Sequence, residues 1–156
     1  MIILWVFGNA VCAKVGNSFY PLVYLLMGLA AAAAHMKFSD APAIGASGAI
    51  NGIVGMFVVF YPLNYVKCFF GIFFRPGIFT VSSIWIILLW LAFDILGAMP
   101  GSGGIAYYAH LGGFFAGAGL ALACLKMGWV KMDRYERSLL QVLAEGWHQK
   151  RRPSRL

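Results

Sequence analysis

Polarity along this chain is arranged in long blocks. Before position 126 the only charged residues are Lys14, Lys37, Asp40, Lys67, Arg75 and Asp94, and uncharged stretches of 22, 26, 18 and 31 residues occupy 15–36, 41–66, 76–93 and 95–125. Each is near or above the roughly 20 apolar residues that carry a helix across a bilayer core. The blocks predict a helix over 19–35, a short loop at 37–42, and a helix over 44–60 that ends near Tyr61-Pro62. A loop with Lys67, Arg75 and Pro76 follows, then a helix over 79–99, the glycine-rich 100–104 and a helix over 105–125. Residues 1–13 are apolar but reach only about 20 Å at 1.5 Å per residue, a partial span. The short alternating strands of a membrane barrel are absent. The expected fold is all-α: a polytopic transmembrane helix bundle of about four full spans plus a partial N-terminal one.

Composition agrees, with 62% hydrophobic residues, 11% charged residues and a mean hydropathy of +0.80, against about 25% charged in soluble domains. The character changes at Lys126, which divides the chain into a membrane domain, 1–125, and a basic tail, 126–156. Within the tail, Asp133 and Glu136 resemble a capping box. Tyr135, Leu139, Leu140, Val142, Leu143 and Trp147 recur near helical spacing, and Gly146 marks a helix end. An amphipathic helix on the inner membrane surface is preferred over a partner-binding one. Lys150-Arg151-Arg152 suits anionic headgroups, at about 1 kcal/mol per basic residue.

The net charge of +7 follows a membrane topology and not a nucleic-acid footprint. If the start of the 44–60 helix faces outward, Lys14, Lys67, Arg75 and the tail all lie inside, and Lys37 alone lies outside. The expected location is an integral, multi-pass membrane, the cell (inner) membrane for a bacterial source, with a cytoplasmic C-terminus. Cys12, Cys68 and Cys124 have no metal-ligand spacing and read as small apolar helix residues. No basic n-region or small-residue cleavage site marks a signal peptide. No metal or organic cofactor is implied.

Two polar residues stand out against this background. Ser47 lies between glycines near the head of the 44–60 helix, and His110 lies in the 105–125 helix. Gly45, Gly48, Gly52 and Gly55 recur at three- and four-residue steps as one smooth stripe, and Ala106, Gly113 and Gly117 form another beside His110. Such stripes let membrane helices pack backbone to backbone. Ser47 lies five residues past Pro42 and His110 six past Gly104, which places both roughly 8–9 Å below their entry points. A serine hydroxyl is a weak nucleophile until an adjacent base takes its proton, and a histidine supplies that base. The N-terminus of the helix behind Ser47 offers N–H groups to an oxyanion. Asn51, one turn below Ser47, is a candidate auxiliary group or a packing polar residue. No acidic third member lies near either residue in sequence. Asp94 is an intramembrane carboxylate, a functional candidate by default, or equally an interfacial, solvated one.

Gly45-Ala46-Ser47-Gly48, followed one helix later by Ala109-His110-x-x-Gly113-x-x-x-Gly117, resembles the rhomboid intramembrane serine proteases. Trp5-Val6-Phe7-Gly8-Asn9 looks like the end of that family's second helix, so the likeness covers about residues 1–125. The resemblance implies a Ser47–His110 dyad that cleaves transmembrane protein substrates within the bilayer, with the fourth helix and the Met99–Gly104 loop as gate and cap. It also implies departures. The family's first helix and its His-x-x-x-Asn oxyanion motif have no counterpart here, Cys12 replaces a charged residue, and Asp94 is not part of the family pattern. Those departures keep open a second reading, a rhomboid-like protein that binds or escorts membrane clients without cleaving them. A small transporter or channel subunit is disfavoured by the lack of a broken-helix pair. Oligomeric state is not legible.

Overall fold

A computed structural model describes residues 1–72, 75–99 and 106–150, with backbone alone at 69–72, 75–76 and 146–150. A π-helical turn, Leu4–Gly8, runs into α1 (Asn9–Val15), followed by α2 (Tyr20–Phe38) and α3 (Ser47–Phe60). Strands β1 (Tyr65–Ile72) and β2 (Arg75–Ser82) come next, then α4 (Ser83–Gly97), α5 (Tyr107–Lys126) and α6 (Leu139–Lys150).

The centre of the molecule is α3. Its residues Gly48, Ala49 and Gly52 to Phe57 are all buried, as are Val59 and Phe60. A helix that is apolar all round has no solvent face to present and must be enclosed. Helices α5 and α2 supply most of that enclosure. A methyl group at Gly113 or Gly117 would collide with the carbonyl oxygens of Gly48 or Gly52, and one at Gly55 would collide with that of Phe114. The α3–α5 contact is therefore backbone against backbone, as small residues permit in membranes. On the other side, Ala31 and Met27 of α2 fill the space left by Gly48 and Gly52. Phe7, Val11, Phe57, Phe60 and Tyr61 close the core at the opposite end from Ser47.

The outer surface carries many large apolar side chains. Leu22, Leu25 and Leu29 on α2 and Trp85, Leu89 and Phe93 on α4 are exposed, far more apolar surface than a soluble monomer presents to water. Helices α2 and α5 are each long and apolar enough to cross a membrane. The segment Leu4–Val15 and helices α3 and α4 are shorter apolar helices.

Several sequence expectations are corrected. The fold is mostly helical and not all-α, because residues expected as a loop and the start of the fourth helix pair as an antiparallel hairpin. Tyr65 faces Ser82 and Ile72 faces Arg75. Proline and basic residues punctuate this segment like a loop, yet Tyr65-Val66 and Ile78-Phe79-Thr80-Val81 are β-branched and aromatic, types that suit a pleated strand. An isolated two-stranded ribbon is marginal. This one is tied at its base by the Asn64 carbonyl, which accepts from both the N–H and the Oγ–H of buried Ser83, each at 2.8 Å. Helix α2 continues to Phe38, beyond the expected end at His35, and α3 begins at Ser47 and not at Ile44.

The tail is also corrected. Glu136 does accept from the Asp133 N–H at 3.1 Å, but no helix starts there. Helix α6 starts at Leu139 behind a different box: Ser138 N–H donates to Gln141 Oε1 at 2.8 Å, and Gln141 N–H donates to Ser138 Oγ at 3.4 Å. The helix continues past Gly146 to Lys150. Leu139 packs against the core cluster, and Lys14 pairs with both Asp133 and Glu136. Arg151 and Arg152 lie outside the described residues.

Candidate active site

The chain reaches α3 through a non-helical segment after α2. Gly45 sits there with φ +137°, a backbone conformation that side-chain-bearing residues rarely adopt. It precedes the helix, so it is not part of the α3 stripe as the spacing predicts; it turns the chain into α3. Ser47 is consequently the first residue of α3, and no side chain caps that helix end. The first-turn N–H groups of a helix have no intrahelical acceptor. Ile50 N–H bonds the Ala46 carbonyl at 3.1 Å, which leaves the N–H groups of Ser47, Gly48 and Ala49 as the first-turn donors beside the Ser47 side chain.

His110 is the fourth residue of α5. The glycine contacts between α3 and α5 bring its Nε2 to 3.0 Å from Ser47 Oγ. Its Nδ1 lies 2.9 Å from Oδ1 of Asp94 on α4. With the carboxylate as acceptor, the ring proton lies on Nδ1 and the Nε2 lone pair is left for the serine hydroxyl. No carboxylate lies near either residue in sequence, yet the fold brings Asp94 against the ring, with its side chain 14% exposed and that of His110 16% exposed. Asp94 is 16 residues from His110 in sequence and on another helix, so no local motif announces the contact. Its only signal in the sequence is a carboxylate inside an apolar block.

Asn51 does not join the site through its side chain. Its Nδ2 donates to the Ser47 carbonyl at 3.2 Å, one helical turn back, and it serves the backbone. Gly48, Gly113 and Gly117 lie in the α3–α5 seam, where they set the distance between the helices that carry Ser47 and His110. Of the expected Met99–Gly104 loop, residues 100–104 lie outside the described residues.

Ser47 is exposed and lines a cavity of about 810 Å³ bounded by α2, residues 39–46, Ala106 and Ala109. Alanine and glycine make up about half of the walls, and His35, Ser39 and Asp40 join Ser47 as polar lining. His35 Nε2 donates to the Ala41 carbonyl at 2.7 Å, and buried Nδ1 has no partner among the described residues. His35 has no distinguishing neighbours in sequence, and only the packing of α2 against the following segment reveals it. Among the described residues no cluster of His, Cys, Asp or Glu is arranged to hold a metal ion.

Comparisons with known proteins bear on the family. The Rhomboid domain family model matches residues 1–127. The chain is 34% identical over 147 residues to the rhomboid protease GluP of Bacillus subtilis, a match covering 92% of this chain and 26% of that protein. It is 28% identical over 125 residues to the mitochondrial rhomboid protein 1 of Saccharomyces cerevisiae, covering 75% of this chain and 34% of that protein. The chain therefore spans about a quarter to a third of the length of these relatives. No solved structure matches it.

Proposed function

The chain belongs to the rhomboid family, and from that premise we propose that it is an intramembrane serine endopeptidase with Ser47 as nucleophile and His110 as general base. The observation that carries this reading is the 3.0 Å contact between Ser47 Oγ and His110 Nε2 at the wall of an open cavity. In the proposed reaction His110 Nε2 takes the hydroxyl proton while Ser47 Oγ attacks a peptide carbonyl of a transmembrane substrate. The carbonyl oxygen becomes an oxyanion facing the first-turn N–H groups of α3. One such donor is worth about 10²–10³ in rate. His110 then returns the proton to the leaving amine, and water hydrolyses the acyl-enzyme by the same base.

The placement proposed for the protein is a multi-pass one, residues 1–125 in the bilayer and 126–156 as a cytoplasmic tail. The concentration of basic residues at Lys14, Lys67, Arg75 and the tail supports that orientation. Exposed apolar side chains on α2 and α4 support lipid as the surrounding solvent. Helix α4 is the proposed gate for a substrate helix: apart from α5 and the hairpin it has little packed against it. No metal or organic cofactor enters this mechanism.

The test is cleavage of a model transmembrane substrate in proteoliposomes by the wild-type chain and by Ser47→Ala and His110→Ala. Cleavage by wild type alone, with fluorophosphonate labelling lost in Ser47→Ala, is expected. Equal cleavage by wild type and Ser47→Ala removes Ser47 as nucleophile. Capture of the substrate without cleavage by wild type favours a client-binding role for the same cavity.

A further inference from the structure

We propose that Asp94 is a positioning residue for His110, making the site a Ser47–His110–Asp94 triad and not a dyad; this rests on the reading of Ser47 and His110 given above. A carboxylate in an apolar helix is costly and is tolerated where it is paired or used. Asp94 meets one of the two atoms of His110 that matter, Nδ1, at 2.9 Å, while the other, Nε2, faces the serine at 3.0 Å. A carboxylate on Nδ1 selects the tautomer with its proton there, and so keeps the Nε2 lone pair directed at the hydroxyl. As the serine proton arrives on Nε2 the ring becomes an imidazolium, and the fixed negative charge stabilises it. The Nδ1 proton does not leave the ring.

The surroundings of Asp94 hold it in register. Gly97, three residues on, shares its face of α4, and Ala98 is the C-cap of that helix. The absent side chain at Gly97 makes room for the Tyr107 ring, which a methyl there would overlap. Tyr107 in turn packs edge-on to the His110 ring, with centroids 6.4 Å apart at 79°. Tyr108 Oη donates to the Ala98 carbonyl at 2.9 Å. Two aromatic residues from the first turn of α5 thus fix the end of α4, and this places a carboxylate on the base. A simple tie between helices would need only the Tyr108 bond.

The experiment pairs kinetics with a direct reading of the tautomer. In proteoliposomes Asp94→Asn, nearly isosteric, is expected to lower kcat about a thousandfold, somewhat less than the roughly 10⁴ of a fully buried triad aspartate. KM and the thermal midpoint are expected to stay near wild type. Retention of kcat within a few-fold in Asp94→Asn, while Ser47→Ala and His110→Ala are inactive, would overturn the positioning role and leave the dyad standing. Equal cleavage by wild type and Ser47→Ala would overturn the underlying reading itself. Nitrogen-15 NMR of the histidine-labelled wild-type chain needs no variant and no turnover. At alkaline pH the neutral His110 ring is expected to carry its proton on Nδ1 and to lose that preference in Asp94→Asn. A ring protonated on Nε2 in wild type, or a tautomer unchanged in Asp94→Asn, overturns the proposal even if the substitution unfolds part of the chain.

Discussion

At the scale of single residues, the site depends as much on missing side chains as on those present. Gly117 has no room for a methyl against the Gly52 carbonyl, whereas Gly119, two residues on and about 200° around the helix, has nothing within 4 Å of an added methyl. Gly117→Ala should therefore force α3 and α5 apart and lower stability by at least about 3 kcal/mol, the upper end for overpacking. Gly119→Ala should stay within about 1 kcal/mol of wild type. Thermal midpoints in detergent compare the two, and cleavage should fall only in Gly117→Ala, because the same seam sets the Ser47–His110 distance. The sequence presents these two residues as similar glycines in a helix. Which of them faces α3 is legible only through the spacing from Gly113, and how close the backbones come is not legible at all.

At the scale of elements, local chemistry predicts boundaries unevenly. The Asp133–Glu136 and Ser138–Gln141 pairs both have capping-box spacing, and only the second begins a helix. Ser138 is buried and Leu139 reaches the core, so packing selects that start; Asp133 is drawn instead to Lys14. Ser138→Ala should cost about 1 kcal/mol of cap stability and speed amide exchange over 139–145, while Asp133→Ala should leave that exchange unchanged. The hairpin makes the same point in reverse. Pro62, Pro76, Lys67 and Arg75 read as loop punctuation, yet the β-branched and aromatic residues around them pair across a short connection as strands.

At the scale of the whole molecule, the C-terminal segment is joined to the helix bundle by an ion pair that spans most of the chain. Lys14 Nζ lies 3.0 Å from Asp133 Oδ2 and also contacts Glu136, and it sits over the Tyr61 ring at 5.9 Å. The hydrogen bond and charge of Lys14 hold the Asp133 carboxyl below its ordinary value of 3.8. A lowered pKa in the folded state means the pair contributes at pH above 3.8 and that the contribution is lost as pH falls through the folded value. The thermal midpoint of wild type should therefore exceed that of Asp133→Asn at neutral pH, and the two should converge in acid. Because Asp133 is exposed, the difference should be small and should shrink in high salt. A gap that persists unchanged in acid would remove the ion pair as its cause.

Long uncharged blocks, the glycine steps and the flanks of Ser47 and His110 were enough for the sequence alone to determine a helical membrane protein and to single out two polar residues. These are local properties, set by hydropathy and by helical periodicity. The start of α3 at Ser47, the hairpin after it and the carboxylate on His110 were decided only by tertiary structure. Each depends on contacts that local pattern does not specify: α3 is enclosed by α2 and α5, β1 pairs with its neighbour β2, and Tyr107 and Tyr108 set α4 so that Asp94 meets the ring of His110. A carboxylate in an apolar block could be noticed in the sequence, but its partner could not, because the partner belongs to a neighbouring helix whose rotation and register are fixed by packing.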